Sequence, residues 1–425
     1  MFMAESYVGH KLCWPGDLVI NSLWAWATGF GFARHHGIVS SAYGVYRLVP
    51  NLAQDFEFFH HLLRSRVYDW EFTVRSKGIW TSRLQLTDES FFDMPILLPP
   101  SEDRKAIVRS IRHLDHRVNR LIKAKRKLIE ALNEQKQAII HRAVTRGLDP
   151  TVPLKPSGIP WLGDLPQHWE GLQVRRLVSF VTSGSRGWAN YYSDDGLIFL
   201  QSGNLGRSMS LNLSYIQHVH PPDGAEGERT LVKKNDVLVC VTGALTGNVA
   251  IVDLELPAAA FVNQHVALVR PKPEMIEPRF LAYVLHSEIG RSQFKTNEYG
   301  GTKQGLGLDD VKSVFIPVPS LPQQRAICAY LDTKVAGFKE AVSRLEREID
   351  LIREYRTRLV SDVVTGQLDV RHLDLPEAGA GEEPVVGLAD EDTGDGEGGD
   401  EGEMGEGEVG EGGEVGDDEG EGEAR

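Results

Sequence analysis

Residues 104–149 read RKAIVRSIRHLDHRVNRLIKAKRKLIEALNEQKQAIIHRAVTRGLD, and residues 324–369 read QRAICAYLDTKVAGFKEAVSRLEREIDLIREYRTRLVSDVVTGQLD. Shifted by 220 positions, the two stretches align without a gap. Ala106-Ile107 meets Ala326-Ile327, Glu134 meets Glu354, Val144-Thr145 meets Val364-Thr365, and Leu148-Asp149 meets Leu368-Asp369. A repeat of this length implies two copies of one structural unit. Two copies suggest a target with two halves.

The apolar residues say what the repeat builds. In the first copy the stripe is Ile107, Ile111, Val118, Ile122, Ile129, Leu132 and Ile139. In the second it is Ile327, Leu331, Phe338, Val342, Ile349, Ile352 and Leu359. Both step by 4, 7, 4, 7, 3 and 7, and charged residues fill the other faces. Heptad spacing over this length predicts coiled-coil helices, with the stripe as packing surface. No Pro or Gly falls between Arg104 and Arg146, and only Gly337 interrupts the second helix. At 1.5 Å per residue, about 40 residues make a rod of roughly 60 Å. Two copies related by a two-fold axis bring their rods together antiparallel.

Composition divides the chain. The formal net charge is −14 over 425 residues. Glu377–Arg425 holds 20 acidic residues and one basic one, a net of −19, which leaves +5 on residues 1–376. Alternating glycine and glutamate cannot bury enough apolar surface to fold, so 376–425 is expected to be a disordered acidic tail. It reads either as a solubilising end or as a nucleic-acid mimic competing for a basic surface. Cys13, Cys240 and Cys328 lie far apart with no CxxC pair, which argues against a zinc site or a disulfide framework. No apolar run approaches the length of a membrane span, and MFMAESYVGHKLCWPGD is unlike a signal peptide. A cytoplasmic protein with reduced thiols is expected.

Ahead of each long helix the pattern changes. Short β-like runs (GDLVINSL; KNDVLVCVTG and FVNQHVALVRP) follow the turn formers Gly16-Asp17 and Asn235-Asp236. Helical stretches come next, FEFFHHLLRSRVYDWEF and PRFLAYVLHSEIGRSQF, then the loops RSKGIWTSRLQL and EYGGTKQGLGL. Proline-rich hinges, PILLPPSE and PVPSLPQQ, enter the helices. The expected fold is mixed α/β domains in two tandem copies, each followed by a long α-helix, with the helices paired as an antiparallel coiled coil. Expected boundaries are 1–98 and 166–316 for the α/β domains, 99–149 and 317–370 for the helices, and 150–165 for the linker.

This order resembles the specificity subunit of a type I restriction–modification system. Leu165-Pro166-Gln167-His168-Trp169 opens the second domain as in that family. Pro319-Ser320-Leu321-Pro322-Gln323-Gln324-Arg325-Ala326-Ile327 enters the second helix, and Val363-Val364-Thr365-Gly366-Gln367-Leu368-Asp369 closes it. Weaker versions run from Pro99 to Ile107 and from Ala143 to Asp149, so the likeness covers about residues 1–375. The resemblance implies two target-recognition domains, each reading half of a split site in double-stranded DNA, with the helices as a spacer. It also implies two methylation subunits docked on that frame and restriction/translocase subunits that join them. S-adenosylmethionine, ATP and Mg would belong to those partners, with no cofactor bound by this chain. One departure is plain: the 55 residues 166–220 of the second copy map before Met1, so the first recognition domain is expected to be N-terminally truncated.

Phosphate contacts call for Lys and Arg, and base edges for polar side chains on loops. The candidates are Thr302, Lys303 and Gln304 in the glycine loop, Ser185, Arg186 and Trp188 in SGSRGW, and Gln201, Ser202 and Asn204 in QSGN. The first-copy counterparts are Lys77, Trp80, Thr81, Ser82 and Arg83. Each also reads as an ordinary solvated loop residue. Trp24, Trp26, Trp161 and Trp169 are expected in the core, and His60-His61 as a packed or solvated pair with no metal site.

No G-x-x-x-x-G-K-[ST] loop, no Asn-Pro-Pro-Tyr or Asp-Pro-Pro-Tyr, and no outstanding Ser–His–Asp set occurs. A non-catalytic DNA-binding and assembly subunit therefore leads. A half-site or degenerate specificity subunit, a structural coiled-coil protein without DNA specificity, and a nuclease with scattered carboxylates stand behind it. Salt-dependent, sequence-preferring binding separates the first from the coiled-coil reading. Magnesium-dependent cleavage by the lone chain would favour the nuclease.

Overall fold

The computed structural model describes residues 8–78, 84–184, 187–206, 208–220, 229–297 and 305–375. Its frame is the pair of long helices, α3 (Ser101–Arg146) and α6 (Leu321–Val364). Each starts about three residues before the aligned stretch. Pro100, with extended ψ, precedes α3. Ser320 caps α6, its N–H donating to Gln323 Oε1 at 3.3 Å, and Pro322 lies in the first turn. Gly337 does not interrupt α6: the helix passes through it, because one glycine costs only about 1 kcal/mol there.

The helices run antiparallel. Near one end, Asp115 of α3 accepts two hydrogen bonds from Arg356 of α6, at 2.8 and 2.9 Å. Further along α3, Lys125 pairs with Glu348, so the partner's numbers fall as those of α3 rise. Val118, Ile122 and Ile349 are buried together midway. Of the heptad stripe, Ile107, Ile111, Val118, Ile122, Ile327, Leu331 and Ile349 are buried. Ile129, Leu132, Ile139, Phe338, Val342, Ile352 and Leu359 are half-buried. The α/β units cover the two ends of the pair, and between them Val118, Ile122 and Ile349 are buried by the two helices themselves.

The first unit has a three-stranded antiparallel sheet. Strand β1 (Asp17–Asn21) lies between β2 (Phe30–Phe32) and β3 (Tyr43–Arg47), with Leu18 opposite both Phe32 and Tyr46. Helices α1 (Phe56–Leu63) and α2 (Arg66–Arg75) follow. Their apolar sides, Phe58, Leu62 and Phe72, are buried with Ile107 and Ile111 of α3 and Val360, Val363 and Val364 of α6.

The second unit contains β4 (Val178–Ser183), β5 (Leu197–Leu200), β6 (Gln217–Val219), β7 (Val237–Cys240), β8 (Val249–Ile251), β9 (Ala260–Val262) and β10 (Val266–Pro271), then α4 (Pro278–His286) and α5 (Glu288–Asn297). One antiparallel sheet has the order β8-β7-β10-β4. Val237 faces both Ile251 and Val269, the register of Leu18 in the first unit. A second sheet joins Tyr192–Ser193, β6, β5 and β9, the last two parallel. Phe280, Val284 and Phe294 pack with Ile140, Ala143 and Val144 of α3 and Ile327, Cys328 and Leu331 of α6.

The two halves repeat details as well as outlines. Gly16 and Asn235 both turn with positive φ, at 89° and 71°, just before Asp17 and Asp236. Arg47 grips Asp17 with Nε and Nη2 at 2.6 and 2.7 Å, and Arg270 grips Asp236 at 2.8 and 2.7 Å. Both carboxylates are buried. Arg104 Nη1 reaches back to the Pro99 carbonyl, and Gln324 Nε2, 220 positions on, reaches the Pro319 carbonyl at 2.8 Å. One difference stands out: β10 receives β4 on its outer edge, while no strand pairs with that edge of β3 among the described residues.

Candidate nucleic-acid interface

Three strand ends of the second unit converge on the turn Asn263-Gln264-His265 between β9 and β10. Asn263 is buried, and its Oδ1 accepts from the His265 N–H at 3.0 Å, which shapes the turn. Its own N–H donates to the Leu200 carbonyl at the end of β5 (3.0 Å). Its carbonyl accepts from the Gly184 N–H just beyond β4 (3.0 Å). A Cβ on Gly184 would lie 1.9 Å from the Val262 oxygen, so only glycine permits this approach.

The end of β7 joins the same place. Val241 N–H donates to the His265 carbonyl at 2.9 Å, and the Thr242 hydroxyl contacts His265 Nδ1. Leu306 N–H donates to the Val241 carbonyl at 2.8 Å, and Gly305 forms a bridge with Thr242. Gln264 Nε2 lies 3.0 Å from His265 Nε2. The result is a polar rim of Thr242, Gln264 and His265, all half-buried. It is flanked by the segments that lead into 185–186, into 201–204 and out of 298–304.

Thr302, Lys303, Gln304, Ser185 and Arg186 lie outside the described residues, as do Trp80, Thr81, Ser82 and Arg83. The remaining candidates divide. Gln201 and Ser202 are half-buried beside the rim, and Gln201 Nε2 donates to the Tyr192 hydroxyl at 3.0 Å. Asn204 is corrected from base reader to loop organiser, because its amide is buried and fully engaged. Its Oδ1 accepts from the Gln201 N–H at 2.8 Å, and its Nδ2 donates to the Asn212 and Tyr215 carbonyls, both at 2.9 Å. Trp188 is also corrected: it is a core residue, 5% exposed, stacked on Phe199 with centroids 5.4 Å apart. Lys77 is exposed in the first unit, where its N–H and C=O exchange two 3.0 Å bonds with Gln85 and close the base of the 79–83 loop.

Among the tryptophans, Trp169 is buried as expected. Trp24 and Trp161 are not in the core; they are 54% and 44% exposed. Trp24 stacks on half-buried Trp26 at 5.9 Å, so the two cover each other on the surface of the first unit. Thr242, Gln264 and His265 were missed by sequence reasoning. Their only signal is a polar Asn-Gln-His triplet between two β-forming runs.

A family model described as "Type I restriction modification DNA specificity domain" matches residues 225–349, from the approach to β7 through the rim and into α6. The MjaVIII specificity subunit of a type I restriction enzyme from Methanocaldococcus jannaschii is 22% identical over 349 residues, covering 81% of this chain and 77% of that one. The EcoBI specificity subunit of Escherichia coli is 20% identical over 312 residues, covering 71% and 65%. Over most of its length the chain is thus similar to type I restriction–modification specificity subunits. A solved structure titled as the basis of complex assembly and conformational transition of the type I R-M system shares its fold. That match has TM-score 0.61 at 21% identity and covers 86% of this chain and 85% of the other.

DNA specificity is what the description of the matching domain names. The buried groups elsewhere are kept chemically quiet. Burial pushes the Cys240 thiol up to about 11 and Cys328 to about 12, so neither is a thiolate near neutrality. Burial also pushes His60 down to about 3 and His61 to about 4, helped by neighbouring positive charge, so both stay neutral. Among the described residues no three of His, Cys, Asp and Glu gather where they could hold a metal ion. No helix among them is long and apolar enough to cross a membrane.

Proposed function

We propose that this chain is the non-catalytic, sequence-reading subunit of a type I restriction–modification assembly, and that it recognises a split target in double-stranded DNA. Each α/β unit reads one half-site. The antiparallel helices act as a coiled-coil spacer that holds the units apart, so the gap between half-sites follows from protein geometry. Two methylation subunits dock on this frame, and restriction/translocase subunits join them. Those partners supply S-adenosylmethionine, ATP and Mg.

The observation that carries this reading is the duplicated geometry at opposite ends of one antiparallel pair. The Asp17–Arg47 and Asp236–Arg270 clamps, with matching strand registers, support two units facing a ligand in two-fold-related orientations. Such a ligand is a DNA duplex read in two halves. Within the second unit, base contacts are assigned to Gln304, Gln264 and Gln201 and a phosphate contact to Lys303, around the rim.

The test is to purify the chain with its neighbouring methylation subunits and sequence the methylated sites in cells carrying the assembly. A split motif with two defined halves is expected. A single half-motif would assign reading to the second unit alone, and an intact complex that methylates no preferred site would overturn the proposal.

A further inference from the structure

The repeat preserves the buried stripe of the two long helices but not their outer faces. On α3, Arg109, Arg117, Arg120, Lys123, Arg126 and Lys127 are all exposed, and none forms an ion pair among the described residues, Arg109 acting on Glu102 only at longer range. The positions 220 residues later are Ala329, Gly337, Glu340, Ser343, Glu346 and Arg347. Six positive charges thus face a net of −1 at equivalent places. A spacer needs both helices equally, and a pair of identical docked subunits would meet the same surface twice. Neither role accounts for a cationic ridge present in one copy only. The ridge calls for an anionic ligand that occurs once.

We propose that the ligand is this chain's own acidic segment, Glu377–Arg425, lying along the α3 ridge. Charge complementarity is the first argument: a net of −19, with no aromatic residue and one base, against six cations. Those cations are spread over about 27 Å at 1.5 Å per residue. From Arg117 to Lys127 successive cations lie at most about 4.5 Å apart along the axis, within the Debye length of about 8 Å at physiological salt, so their fields add; Arg109 stands about 12 Å further towards the start of the helix.

Position is the second argument. After α6 ends, the chain returns to the first turn of α3, where Arg371 Nη1 lies 3.9 Å from Asp103 Oδ2. The acidic segment therefore leaves from the end of α3 nearest Arg109. Fifty glycine-rich residues have a root-mean-square reach of about 35–42 Å, which spans the ridge. Tethering at that range corresponds to millimolar effective concentration, enough for a weak, multivalent contact. The proposal is independent of whether the chain reads DNA. Duplex DNA is the competing ligand for the same cations.

Zero-length carbodiimide coupling of the full chain, with peptide mapping, tests this. Tail carboxylates are expected to couple to Lys123 and Lys127 several-fold more than to exposed Lys334 and Lys339 on α6. At 1 M salt, where the Debye length falls to about 3 Å, the preference disappears. Reversing the arginines around the lysines (R117E, R120E and R126E together) lowers coupling several-fold, and R117K, R120K and R126K together retain it. Equal coupling to all four lysines, coupling unaffected by charge reversal, or a ridge that duplex DNA protects while the tail never couples to it would each overturn the proposal.

Discussion

Asp332 stands on α6 where Arg112 stands on α3, and the ion pair each makes is inverted. Arg112 donates to Glu57 on α1; Asp332 accepts from Arg279 on the equivalent helix α4, at 2.7 Å. Each unit therefore fits its own helix by charge. Docked on the wrong one, Glu57 would meet Asp332 and Arg279 would meet Arg112. Arg112→Asp should lower the unfolding midpoint in urea, by no more than about 1 kcal/mol because the arginine is half exposed. Adding Glu57→Arg should restore it. Equal midpoints for the single and double variants would show that the inversion carries no docking information.

The Arg356–Asp115 clamp between the long helices is better sheltered, with side chains 18% and 10% exposed. Arg356→Ala leaves a buried carboxylate without its partner, a loss of roughly 3 kcal/mol. Replacing both residues by leucine should recover most of that, since the desolvation of two charges is then removed as well. Thermal unfolding of the two variants decides it. If the double variant is no better than the single, Asp115 is held by something other than this pair.

Acid should loosen the first unit through His60 and His61. Their folded values, about 3 and about 4, lie below the 6.5 of an unfolded histidine, with burial as the main cause. The unfolded chain binds protons first as pH falls. Their contribution is thus complete above about pH 6.5 and is lost progressively down to about pH 4 for His61 and about pH 3 for His60, with a slope of up to ~1.4 kcal/mol per pH unit for each. His60→Ala with His61→Tyr installs the residues found at the equivalent positions, Ala282 and Tyr283. Urea midpoints at pH 7.5 and 5.0 should differ less for this variant than for the parent. The same difference in both would remove these histidines from the acid response.

Legibility from sequence followed the physics of each element. Heptad spacing is local and survives substitution, so the long helices could be read to within a few residues of Ser101 and Leu321. The sheet registers were hidden, because strand equivalents drift: Asp17 corresponds to Asp236 and Arg47 to Arg270, offsets of 219 and 223. Trp188 was misread because its sequence neighbours are polar, whereas its packing partners, Phe199 and Phe261, come from other strands. Trp24 and Trp161 failed in the opposite direction: size alone suggested core. The rim of Thr242, Gln264 and His265 is built by bonds between strand ends far apart in the chain, which no local pattern announces.

Those bonds turn the DNA-contact assignment into a graded expectation. Gly305-Leu306 is fastened to Val241-Thr242, so the chain directly after Lys303 and Gln304 is anchored at the rim. Lys303→Ala should weaken binding of the assembled complex to all duplexes alike and reduce the slope of log affinity against log salt by about 1, as one lost phosphate contact requires. Gln304→Ala should instead flatten preference at one base pair, by about 1–3 kcal/mol, with the salt slope unchanged. Gln264→Ala should resemble Gln304→Ala at a neighbouring position, because Gln264 stands on the rim to which Gly305, the next residue after Gln304, is bridged through Thr242. Binding titrations against a panel of single-substitution duplexes at two salt concentrations separate the three. If Gln304→Ala and Gln264→Ala both act uniformly across the panel, the rim holds the backbone and the bases are read elsewhere.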